Sequence, residues 1–132
     1  MRTHLSLNVK NVAESVAFYQ KVFGATPQKH NSTYAKFDLQ EPPLNFAMQS
    51  GGELSRVSHL GIEVDSDDEM VRWQKRLTEL GLVSLIETDT SCCFARQDKI
   101  WFSDPDGNRW EVFYIREQLP VTETMEQCDF CR

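Results

Sequence analysis

Polar and apolar residues alternate from residue 4 to residue 9, with Leu5, Leu7 and Val9 on one side and His4, Ser6 and Asn8 on the other. That period of two predicts a strand buried on one face. The spacing then changes to a helical one: Val12, Val16, Tyr19 and Phe23 recur along one stripe, Asn11 and Glu14 make a capping box, and Gly24 supplies a stop. Such a helix covers the apolar face of its own strand and leaves the His4 face uncovered. Two further strands are predicted over 33–39, with Ala35, Phe37 and Leu39 in phase, and over 44–49 after the break at Pro42-Pro43. Gly51-Gly52 closes this stretch.

The same order then returns. Residues 59–64 read His-Leu-Gly-Ile-Glu-Val where residues 4–9 read His-Leu-Ser-Leu-Asn-Val, and a second capping box, Ser66 with Glu69, lies at the same 55-residue offset as the histidines. Met70, Trp73, Leu77 and Leu80 mark a second helix ended by Gly81. Strands are predicted over 82–88, 94–103 and 109–115, the last two joined by the turn sequence Asp104-Pro105-Asp106-Gly107. A half built as strand, helix and further strands cannot bury both its faces alone. The fold class expected is therefore α+β: two βαβββ modules, about 1–52 and 56–116, sharing one curved mixed sheet with the helices outside and a concave inner face. They would make a single domain over 1–116, followed by a flexible tail over 117–132 in which apolar periodicity is lost.

Composition narrows the function classes. With 40% hydrophobic and 11% aromatic residues, 132 residues suffice for one buried core. A net charge of -6 argues against a surface that tracks nucleic-acid phosphates. No apolar run approaches the ~20 residues that span a bilayer, so a soluble cytoplasmic protein without membrane contact is expected. The acidic stretch 63–69 needs only the helix dipole to explain it. Four cysteines in two pairs, Cys92-Cys93 and Cys128-x-x-Cys131, point to thiol chemistry or soft-metal binding rather than structural disulfides.

Both strand-opening histidines turn away from their helices, toward the concave face. Glu111 is in phase with Phe113 and out of phase with Trp110, Val112 and Tyr114, so it joins them if the latter three face the helix. Two imidazoles and a carboxylate make the facial triad suited to non-haem Fe(II), with open positions for substrate and oxygen. A lone strand histidine is more often a hydrogen-bonded or exposed side chain, but here the duplication keeps both on one face. His30, in a loop without a counterpart, keeps the ordinary reading. Asn45 stands in the first module where Glu111 stands in the second, and an amide cannot act as the extra base a proton-abstracting isomerase needs. Ser6 and Gly61, small residues two positions beyond each histidine, leave room for a ligand.

Neighbouring strand residues point to opposite faces, so Cys92 and Cys93 share a ligand only where the backbone is irregular, and 88–91 reads as such a loop. Converging thiolates bind soft centres such as trivalent arsenic or Cd(II). Two small buried side chains or a vicinal disulfide are the competing readings.

The paired modules, His4 and His59, Asp104-Pro105-Asp106-Gly107-Asn108 and Glu111 together resemble the vicinal oxygen chelate superfamily of glyoxalases, bleomycin-resistance proteins and extradiol dioxygenases, over about residues 1–116. Within it, the stretch from Cys92 to Lys99, followed by Trp101 and the Asp104 turn, is similar to the ArsI-type carbon-arsenic lyases and their CadI-like cadmium-induced relatives. The resemblance implies that His4, His59 and Glu111 hold Fe(II), for which Ni, Co or Zn could substitute, with O2 as cosubstrate. It implies that Cys92 and Cys93 bind the arsenic of a small trivalent organoarsenical such as methylarsonous acid, whose carbon-arsenic bond is cleaved to release arsenite. Arg96, Gln97 and Lys99 lie near enough to orient substrate or close over it, and Phe94 stands where many relatives carry tyrosine. The alternative is a non-catalytic cadmium- or arsenite-binding protein, while a glyoxalase-like isomerase or thiol transferase is disfavoured by Asn45. A monomer or homodimer serves either reading.

Overall fold

A computed structural model of the chain describes residues 1–52, 57–103, 105 and 107–123. Strand β1 (Arg2–Asn8) is followed by helix α1 (Val12–Phe23), β2 (Lys29–His30), β3 (Tyr34–Gln40) and β4 (Pro43–Gln49). The second half repeats the order: β5 (Val57–Val64), α2 (Asp67–Glu79), β6 (Leu85–Cys92), β7 (Ala95–Ser103) and β8 (Arg109–Gln118). All eight strands form one sheet in the order β2-β3-β4-β1-β5-β8-β7-β6. Each half pairs its opening strand in parallel with its closing strand, β1 with β4 and β5 with β8, and the halves meet where β1 and β5 run antiparallel at the centre. This is the curved mixed sheet with outer helices that the repeat predicts.

The helices form where the caps place them. Asn11 Oδ1 accepts from the Glu14 amide at 2.9 Å and Ser66 Oγ from the Glu69 amide at 3.2 Å. Gly24, at φ 63°, closes α1 in the left-handed conformation that its lack of a Cβ allows. Helix α1 buries Val12 and Val16 against Ala35, Phe37, Leu39, Phe46 and Met48, with Leu5, Leu7 and Val9 at the margin. Helix α2 buries Met70 and Leu77 against Val64, Ile100 and Val112. Each helix therefore covers the apolar face of its own half, and the polar positions His4, Ser6, Asn45, His59 and Glu111 are left on the other face, buried even so.

Several boundaries differ from the pattern. A short edge strand places His30, exposed, beside Ala35 instead of in a loop. The expected loop at 88–91 is strand: β6 runs on to Cys92, with a register shift between Glu87 and Thr90 and Asp89 at φ 50°. The break in the backbone lies two residues further on, at Cys93 (φ 52°) and Phe94 (φ 59°), which form the two-residue tip of the β6-β7 hairpin. β8 extends to Gln118, and beyond it Thr122 and Glu123 are tied to Asn31 and Ser32. Cys128 and Cys131 lie outside the described residues. Among the described residues no helix is long and apolar enough to cross a membrane.

Candidate metal and thiol site

His4 and His59 stand on the two central strands, and the antiparallel register sets His4 opposite Gly61 and Ser6 opposite His59. Their Nε2 atoms approach to 3.1 Å. His4 Nδ1 lies 3.0 Å from the Asn45 backbone oxygen and 3.1 Å from its Oδ1, acceptors that keep the ring proton on Nδ1 and free Nε2 as a ligand. His59 Nδ1 is 3.0 Å from Ser58 Oγ. Burial pushes the His59 imidazole below its ordinary pKa despite the Glu111 carboxylate beside it, so it is neutral, as a ligand must be. Asn45 is thus more than a polar strand residue: the position that carries a carboxylate in the second half carries a support for a histidine in the first.

Glu111 Oε1 lies 3.3 Å from both Nε2 atoms, while Oε2 accepts from Lys99 Nζ at 3.0 Å. Burial alone would raise the Glu111 pKa, but Lys99 and the two adjacent imidazoles outweigh it and hold the carboxyl well below the usual range. The same ion pair overcomes the burial of Lys99, whose pKa is raised. Gly61 makes the close approach possible, since a Cβ there would stand 2.7 Å from the Glu111 carbonyl oxygen and 3.2 Å from His4 Cδ2. The edges of Phe113 and Trp101 pack on the two imidazoles, with ring centroids 5.2 and 5.3 Å away.

The three donor atoms can be tested against an ion. Donors bound at about 2.1 Å stand about 3.0 Å apart at right angles and about 3.4 Å apart at tetrahedral angles. The observed separations of 3.1 and 3.3 Å fall between these limits, so His4, His59 and Glu111 fit a divalent metal without rearrangement. The nitrogen and oxygen donor set suits Fe(II).

A small cavity opens beside this triad, bordered by Tyr34, Lys36, Gln49, Cys93, Gln97 and Lys99 among others. Cys93 enters it from the hairpin tip, which packs on the first half through Phe94 against Tyr34 and Ala47. Lys29 Nζ donates to the Cys93 and Phe94 carbonyls, the Leu119 amide to Phe94, and Gln97 Nε2 to the Cys92 carbonyl, so the tip is clamped from β2, from β7 and from the residue after β8. Burial lowers the Lys29 pKa to about 8, with Lys36 adding to the effect. Tyr34, beside which Cys93 packs, is pushed well above its ordinary pKa by burial, then by Cys93 and Glu111. The Cys92 and Cys93 sulfurs are 3.7 Å apart. Cys93 is outside any disulfide whereas Cys92, 3% exposed, is in one, against the expectation of thiols at both positions.

The structure therefore gathers His4, His59, Glu111, Cys93, Gln97 and Lys99 around one cavity. Arg96 is not among them. It is half exposed on the opposite face of β7, paired with Asp89 and Glu117, because its parity along the strand is opposite to that of Gln97 and Lys99. Tyr34, Lys36 and Gln49 also line the cavity, and the alternation that sends Ala35, Phe37 and Leu39 to the helix side is the signal that sends Tyr34 and Lys36 to the histidine side.

The chain is similar to known proteins. The family model for the Glyoxalase/Bleomycin resistance protein/Dioxygenase superfamily matches residues 2–112. A trivalent organoarsenical cleaving enzyme of Bacillus sp. (strain MD1) is 45% identical over 124 residues, 92% of this chain and 77% of the relative. The cadmium-induced protein CadI of Mycobacterium bovis is 41% identical over 86% of this chain and 76% of its own length. Among solved structures, an extradiol ring-cleaving dioxygenase from B. fuscum superposes with a TM-score of 0.66 at 20% identity, over 90% of this chain and 33% of that one, a likeness of fold alone.

Proposed function

The chain belongs to the glyoxalase, bleomycin resistance protein and dioxygenase superfamily, and from that premise we propose that it is an Fe(II)- and O2-dependent lyase that cleaves the carbon-arsenic bond of trivalent organoarsenicals. The observation that carries the reading is the Cys93 thiol on the wall of the cavity that the triad of His4, His59 and Glu111 also lines. A metal triad alone fits many members of such a family; a thiol beside it selects a thiophilic substrate. Identity of 39 to 45% to proteins named for organoarsenical cleavage supports the same conclusion.

Arsenic capture is a condensation. Each cysteine thiol replaces one hydroxyl of methylarsonous acid, forming one sulfur-arsenic bond and releasing one water. Cys93 is ready for this, and Cys92 takes part once reduced. Tyr34 packs beside Cys93, and Lys29 and Gln97 hold the backbone that carries it, so the arsenic is fixed in orientation rather than met by diffusion, an effect that can supply ~7 kcal/mol or more of a barrier. Lys99 ties up Oε2 of Glu111 and leaves Oε1 for the ion. Fe(II) bound by His4, His59 and Glu111 would supply the activation of dioxygen. With one dioxygen and no added reductant the balance is methylarsonous acid plus O2 giving arsenite plus formaldehyde: arsenic stays trivalent, and the methyl carbon gives up the four electrons that dioxygen takes.

The test is reduced protein, loaded anaerobically with Fe(II), given methylarsonous acid and then oxygen. Arsenite and formaldehyde in equal amounts are expected. Absence of arsenite release, or full activity in a Cys92→Ser, Cys93→Ser double variant, overturns the reading. The likeness to a cadmium-induced protein favours a second one, capture without turnover; it requires stoichiometric Cd(II) binding that survives His4→Ala and no product in the oxygen assay.

A further inference from the structure

Three lysines are buried on the concave side, and two have evident partners. Lys99 pairs with Glu111 at 3.0 Å and Lys29 donates to two carbonyls of the hairpin tip. Lys36 differs. It is only 5% exposed and borders the cavity, yet among the described residues its ammonium makes no ion pair or side-chain hydrogen bond. The carboxylates nearest to it in charge, Asp38 and Glu63, are both engaged by Arg2. Its position is fixed by the sheet: Lys36 pairs with Ala47, another cavity residue, between Ala35 and Phe37, which are locked into the core on the helix side.

Removing an ammonium from water without a counter-ion is unfavourable, so a buried lysine is ordinarily paired. Here burial pushes the Lys36 pKa down, as it does where compensation is incomplete. A partner can reach it from the cavity shared with Cys93 and the metal triad.

We propose that Lys36 is the anion-recognition residue of this site, and that the favoured substrates are trivalent arsenicals whose organic group carries a carboxylate or a like oxyanion. The inference rests on the organoarsenical reading for the identity of the arsenic ligand, and adds to it the chemistry of the group on carbon. With arsenic held by Cys93, a substituent reaching across the cavity meets Lys36 on the first half of the sheet.

Methylarsonous acid and its carboxymethyl analogue differ by one carboxylate and serve as probes. Binding of each to reduced, metal-free protein is measured by calorimetry for the wild type, Lys36→Met and Lys36→Arg, with thermal melts confirming that both variants fold. The wild type is expected to bind the carboxymethyl compound about ten-fold more tightly. The ratio should fall to about one in Lys36→Met and recover in large part in Lys36→Arg. No preference in the wild type, a preference that survives Lys36→Met, or equal weakening of both probes, which would make Lys36 a partner of Cys93 instead, overturns the proposal. So does failure of both probes to bind. Because the readout needs no turnover, the two readings fail separately: a Lys36-dependent preference without arsenite release in the oxygen assay removes the lyase and keeps the subsite, and arsenite release without the preference does the reverse.

Discussion

His4 Nδ1 rests between the backbone oxygen and the side-chain oxygen of Asn45, at 3.0 and 3.1 Å. One residue of β4 thus supplies two acceptors to one ring nitrogen, and the imidazole can present only Nε2 to a metal. Replacing Asn45 with Leu removes one acceptor and leaves the other. Divalent metal affinity should fall about ten-fold, the lower end of what loss of a supporting hydrogen bond does, read by competition with a chelator. An unchanged affinity would show that the backbone carbonyl is sufficient.

Gly61→Ala places a methyl group against backbone that cannot move away, 2.7 Å from the Glu111 carbonyl. A loss of about 1–3 kcal/mol is expected in denaturant titrations, together with loss of the metal site. Full stability and normal metal uptake would mean that β5 and β8 can separate locally at no cost.

Lys99→Met strands the Glu111 carboxylate in the interior. The metal-free protein should lose about 3–5 kcal/mol, and part of that should return when a divalent ion takes over as counter-charge. The check is a thermal shift on metal addition larger in the variant than in the wild type.

Arg96→Ala should change arsenite release by less than about two-fold and stability by no more than about 0.5 kcal/mol, since its pairs with Asp89 and Glu117 are exposed. A large loss of activity would return Arg96 to the site.

Lys29 gives a pH dependence with a definite sign. Its pKa is about 8 in the folded chain, below the ordinary 10.5, so between these values the unfolded chain holds a proton that the folded chain has released. Stability from this group therefore rises with pH across that window, and its cost is fully present below pH 8. Measured as the difference between wild type and Lys29→Met, unfolding free energy should shift toward the wild type from pH 8 to 10.5. A flat difference would place the lysine in water.

Much of this was legible in the chain, and the reasons for the rest are local. The alternation of residues 4–9 and its return at 59–64 fixed which side of the sheet each histidine takes, because strand parity admits two faces only. The same rule separated Glu111 from Trp110 and Val112. What parity could not show was the turn at Cys93 and Phe94. Two residues at positive φ without glycine or asparagine give no signal, since local preference argues against that conformation and the clamps from Lys29, Gln97 and Leu119 impose it. Closeness in sequence to the cysteines does not bring Arg96 to the cavity, because parity sends it to the other face, and an isolated strand lysine such as Lys36 reads as solvated until its burial is seen.

The two imidazoles belong to strands that touch only along the middle of the sheet, where β1 and β5 are the edges of two otherwise separate four-strand halves. An ion held by His4 on one side and by His59 and Glu111 on the other acts as a rivet across that seam. Chelation would then loosen the molecule at its centre rather than at its rim, and a chain nicked between residues 52 and 57 should hold together as complementing fragments most firmly when the metal is bound.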